Sequence, residues 1–134
     1  FEMGTILTAN HAHAAMFGVF GMLALDVLVF CMRAMQSDAV WSRSERFVRI
    51  GFWGLNIGLA LMVILDLFPG GVVQLWDVLQ HGYWHARTEE FVMSGLFHTI
   101  EWVRIIADVI FLLFGVLPML LFAVFSFIKR DYSR

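Results

Sequence analysis

The stretch "NHAHAAMFGVFGMLALDVLVFCMR", residues 10–33, decides how the rest of the chain is read. As a helix it is long enough to cross a bilayer core, which takes about 20 apolar residues. Only Asp26 interrupts its apolar part, while His11 and His13 stand at its start. Two further segments resemble it in character. "FVRIGFWGLNIGLALMVILDLF", residues 47–68, runs into Pro69-Gly70-Gly71, where the helix is expected to end. A third, residues 101–128, is purely apolar after Asp108 and contains Pro118, where a kink is expected. The reading is an all-α membrane protein: a single transmembrane fragment over residues 1–134, with spans at about 10–32, 47–68 and 101–128 and an outer connection over 72–100.

Composition agrees. Of 134 residues, 60% are hydrophobic and 15% charged, with a mean hydropathy of +0.79, too apolar for an ordinary soluble domain. A net charge of -2 and the lack of a basic surface give no reason to expect nucleic acid as a partner. Cys31 lies inside the first span and cannot form an internal disulfide; it reads as a small buried hydrophobe. The chain starts at Phe1 rather than methionine, so a piece of a longer protein is expected, holding part of a shared site.

Charge sets the orientation. Arg33, Arg43, Arg46 and Arg49 lie between the first two spans, and Lys129, Arg130 and Arg134 follow the third. Seven of the nine basic residues thus fall on one side, which the positive-inside rule makes cytoplasmic. The histidine pair and residues 72–100 then face outward, with the C-terminus inside. Trp76, Trp84 and Trp102 on the outer side, and Trp41 and Trp53 on the other, suit interfacial belts. Gly51, Gly54 and Gly58 allow a neighbouring helix to come close, and generic packing is their preferred reading.

Successive helical residues turn by about 100°, so His11 and His13 point in nearly opposite directions, about 200° apart. They cannot share one ion, but they can serve two partners on opposite flanks. Haem suits that demand, since its iron accepts one axial imidazole from each side. Asn10 or Thr8 is expected to cap the helix, and Ala12, Ala14, Ala15, Gly18 and Gly21 to leave room for planar groups. The plainer alternative has both histidines as interfacial residues bonded to neighbours or water; on spacing alone the two readings stay open.

Other candidates favour structural roles. Glu101, Arg104 and Asp108 are spaced for an ionic ladder along one helix face. Asp26 and Asp66 are expected to face the bundle interior or a wet interface, because an ionised aspartate at a span centre costs about 3 kcal/mol. His81, His85 and Glu89 recur every four residues, as metal ligands sometimes do, but Gly82 weakens that helix and a hydrogen-bonded outer loop is preferred. His98 is given the same plain reading.

The words around the histidine pair are more specific than the pair. "EMGTILTANHAHAAMFGVFGMLALDVLVFCMR" resembles the "GT-x-LT-x-NHGHAA-x-FGVFGMLA" segment of quinol-dependent nitric oxide reductases, bacterial relatives of the haem-copper oxidases. The resemblance continues through "FVRIGFWGLNIGLALM" and "GVVQLWDVLQHGYWHARTEEF" to "EWVRIIADVIFLLFGVLP". It implies the last three helices of a twelve-helix catalytic core in a bacterial inner membrane, packed against the remaining helices of the same polypeptide, with a homodimer left open. His11 would be the proximal ligand of the high-spin haem b3 and His13 an axial ligand of the low-spin haem b. The non-haem iron would take its ligands from elsewhere. The implied reaction reduces two NO to N2O with electrons from quinol. A nitric oxide dismutase of the same fold, and a non-catalytic packing fragment without haem, remain the alternatives. Four positions depart from the pattern: Ala12 replaces the glycine between the histidines, Ile106-Ala107 replaces a Pro-Gly before Asp108, and His85 stands where tyrosine is common.

Overall fold

The computed structural model describes residues 5–128, so Lys129, Arg130 and Arg134 of the basic tail lie outside the described residues. Three helices are long and apolar enough to cross a membrane: α1 (Ile6–Ala34), α2 (Asp38–His81) and α4 (Gly95–Phe127). Between the last two, a 3-10 turn at His85–Arg87 leads into the short helix α3 (Glu89–Val92). Much of the surface of the long helices is apolar, with Phe20, Phe30, Leu79 and Phe127 each well over half exposed. In water this would be a large liability. Against lipid tails or further helices it is what a spanning bundle presents, because lipid is as apolar as leucine.

The principal seam joins α2 and α4 over most of their length. Glycine makes it possible. A β-carbon at Gly54 would lie 2.0 Å from the Phe114 carbonyl carbon and oxygen, and one at Gly58 would lie 2.7 Å from the Phe111 α-carbon. From the other side, a β-carbon at Gly115 would lie 2.8 Å from the Leu55 side chain. Gly51, Gly54 and Gly58 therefore act as the packing residues their spacing suggested.

The break expected at Pro69 is absorbed, and Pro118 lies within a continuous helix, as its span was read. The helix does not end at Pro69: α2 continues to His81, and α4 runs on past Pro118. In both cases a π-helical segment comes just before the proline, Val63–Leu67 and Phe111–Val116. Proline lacks an N–H and collides with the carbonyl four residues back, here Leu65 or Phe114. Both carbonyls sit in the widened π turns, whose i→i+5 pattern relieves the collision. A third π segment, Ala12–Gly21, begins directly after His11 without any proline.

The first helix leans on the others chiefly at its start, where Ile6–His11 meets Phe68–His81. Helix α1 begins after Thr5, so neither Thr8 nor Asn10 caps it. Gln74 of α2 does so instead: its Oε1 accepts from the Ile6 N–H at 2.9 Å while its Nε2 donates to the Ala86 carbonyl at 2.8 Å. One buried side chain thus ties α1 and the outer connection to α2. Further along, α1 has few neighbours, and Cys31 is exposed rather than buried. Its face of the helix is one that the described residues do not cover.

Candidate functional site

His13 points into the bundle. It lines an apolar cavity of about 290 Å³ together with Met16, Phe17, Leu59, Met62 and Phe111. Its Nδ1 lies 2.8 Å from the Ala9 carbonyl one turn earlier, a bond in which the ring must be the donor. In the neutral imidazole this tautomer puts the lone pair on Nε2. Anchoring one ring nitrogen on a backbone carbonyl is how proteins commonly aim the other at a metal. Phe17 and Phe111 meet edge to face across the cavity, ring centroids 5.3 Å apart.

His11 is exposed, and helical rotation aims it away from the groove that His13 and Ala12 line. The structure therefore keeps the two imidazoles apart, one in a groove and one on an uncovered face. At Gly18 a β-carbon would sit 3.2 Å from Leu59, so this glycine lets α1 approach α2, and it also lines an apolar cavity between them. The space beside Gly21 is taken by the Phe17 ring of its own helix, which a β-carbon there would meet at 2.9 Å. Asn10 Oδ1, beside the histidine pair, is buried with no hydrogen-bond donor among the described residues.

Next to this groove lies a charged cluster. Asp66 is 1% exposed, and Arg104 reaches it from α4 with Nε to Oδ2 at 3.8 Å while holding Asp108 at 3.3 Å. Of the ladder expected along one helix the Arg104–Asp108 rung forms, Arg104 also bridges to a second helix at Asp66, and among the described residues Glu101 forms no ion pair. Interhelical reach is invisible to spacing within one helix. The other Asp66 oxygen, Oδ1, has no hydrogen-bond partner among the described residues. Helix α4 passes unbroken through Ile106-Ala107, where Ala107 is fully buried against Met62 and Leu67. Asp26 is exposed on α1 and borders a larger apolar cavity of about 490 Å³ between α1 and α2.

The outer connection gathers residues that sequence spacing assigned only in part. Asp77 accepts from His81 Nδ1 at 2.8 Å and from His85 Nδ1 at 2.7 Å. Glu89 instead opens α3. The i, i+4 step from Asp77 to His81 was the available signal for the missed aspartate. His98 has the plain role expected, accepting from Trp102 Nε1 at 3.1 Å.

Residues 2–110 match the family described as cytochrome c and quinol oxidase polypeptide I. The chain belongs to this haem-copper oxidase family. It is also 30% identical, over 116 residues, to the B chain of the nitric oxide reductase of Stutzerimonas stutzeri. That alignment covers 84% of this chain and 24% of the relative, so the chain spans about a quarter of that protein's length. As a haem-copper oxidase segment it contributes three apolar helices to a multi-pass membrane protein.

Proposed function

We propose that this chain is the haem-ligating carboxy-terminal section of a membrane nitric oxide reductase that reduces two NO to N2O with electrons from quinol. Membership of the haem-copper oxidase family supports haem and metal binding, and the similarity to a nitric oxide reductase chain favours NO over O2 as substrate. One observation carries the assignment of ligands: His13 has its Nδ1 tied to the Ala9 carbonyl and borders an apolar cavity.

In this reading His13 holds a low-spin haem b and His11, on the opposite flank, holds a high-spin haem b3. Bound there, the haems supply the redox chemistry of the site, and a non-haem iron is held by residues outside this chain. The chain's own residues orient and insulate. Ala9 fixes the tautomer of His13, and Met16, Leu59 and Phe111 exclude water from its flank. Placing both imidazoles on one helix, with only Ala12 between, holds their spacing constant. The charge distribution supports an inner-membrane placement with His11 and His13 toward the periplasm.

The test is spectroscopic, on the full-length protein. His13→Ala is expected to abolish the low-spin haem signal, and His11→Ala to abolish CO binding by the reduced protein. Unchanged spectra in both variants would overturn the ligand assignment. Isotope-labelled NO separates the chemistry: N2O as product supports the reductase, whereas N2 with O2 points to a dismutase.

A further inference from the structure

Outside the histidine pair, one cluster combines a buried carboxylate with two imidazoles. Asp77 is 8% exposed, yet each of its oxygens faces a different ring nitrogen, and the three donor atoms lie within 4.8 Å of one another. On an uninterrupted helix His85 would follow His81 along the same face. Here the helix stops at Gly82, whose φ of 92° turns the backbone away. His85 returns to Asp77 only because the following turn is folded back and held. Gln74 grips the Ala86 carbonyl, Thr88 Oγ1 donates to the His85 carbonyl at 2.8 Å, and Phe91 packs against the imidazole of His85. The buried Gln74 anchors the same turn to the start of α1.

We propose that Asp77, His81 and His85 form a divalent metal site for zinc or a similar borderline ion, separate from the haem-ligating helix. Two imidazoles and a carboxylate are a donor set characteristic of such ions, and three protein ligands leave a fourth position for water. His81, with a side chain 60% exposed, keeps that position open to solvent. The geometry is close to what an ion requires. Ligand bonds of about 2.0–2.1 Å in a tetrahedron put donor atoms roughly 3.3–3.5 Å apart. The present oxygen–nitrogen separations of 2.7 and 2.8 Å must open slightly, and the two ring nitrogens must draw together. On binding, the metal replaces the two hydrogen bonds; each neutral ring moves its proton from Nδ1 to Nε2, and Asp77 remains anionic.

The experiment uses the full-length protein in detergent, stripped with a chelator, supplied with zinc ion and passed through a desalting column, with zinc counted per protein by mass spectrometry. Wild type is expected to retain one zinc more than His81→Ala, whose affinity, read by chelator competition, falls roughly 100-fold. His81→Cys, which restores a zinc ligand, is expected to recover the lost equivalent; a ring needed only for hydrogen bonding would not be replaced by a thiol. Because His81 is largely exposed, its replacement leaves the fold intact, and an unchanged thermal midpoint confirms that. Should the variant fail to assemble, Asp77→Asn, which preserves shape but not charge, serves in its place. Equal zinc retention in wild type and variants, or none in wild type, overturns the proposal.

Discussion

Replacing Gly54 with alanine tests the close approach of α2 and α4. The added carbon would lie 2.0 Å from the Phe114 carbonyl carbon and oxygen and 2.5 Å from the Gly115 nitrogen, all backbone atoms that cannot swing aside. Ordinary contact begins at about 3.4 Å, so the helices must part locally by up to the difference, 1.4 Å. A gap of about 0.5–1 Å already forfeits a quarter to a half of each dispersion contact along a seam, and overpacking a tight site typically costs about 1–3 kcal/mol. With backbone on both sides, the expected loss is about 3 kcal/mol or more. Gly70→Ala is the control: its nearest neighbour would be the Ile6 side chain at 3.4 Å. That methyl fits, and alanine's better helix propensity contributes up to about 1 kcal/mol in favour. The two substitutions, chemically identical, should shift stability in opposite directions. Denaturant titration of the full-length protein in one detergent, followed by near-UV circular dichroism, measures both. If Gly54→Ala proves as stable as Gly70→Ala, the account of the seam is wrong.

Gly82→Ala forces a side chain into a backbone region almost closed to it, at about 1–3 kcal/mol; protease cleavage within residues 82–88 should accelerate about fivefold or more, and an unaltered rate would count against the strain. Gln74→Leu strands the Ile6 N–H and the Ala86 carbonyl, costing about 1–3 kcal/mol for each. Faster hydrogen exchange at the Ile6 amide checks this, and unchanged protection refutes the interhelical cap. Arg104→Leu removes the nearest cation from buried Asp66 and should cost about 1–3 kcal/mol, between the values for exposed and fully buried pairs, since Arg104 is itself 42% exposed. Adding Asp66→Asn should recover part of that loss; a double-mutant cycle with no coupling would show that the bridge contributes nothing.

Three helices were legible because hydropathy over about 20 residues reports the solvent a segment requires, whatever its neighbours. The opposed aim of His11 and His13 followed likewise from helical rotation, a local property. What lay beyond local rules needed the folded chain. Pro69 read as a break, yet its helix continues, as does the one that holds Pro118, because π turns next to both relieve the crowded carbonyls. Cys31 read as buried from its apolar surroundings, but burial depends on which elements pack there, and among the described residues none covers that face. Asp66 had no partner in its own helix; Arg104 comes from another. Asp77 meets His85 because Gln74 closes a turn that the spacing of four could not foresee past Gly82. Periodicity and composition are properties of a segment and can be read along it, whereas a contact depends on how two segments are placed against each other, which only packing in three dimensions decides.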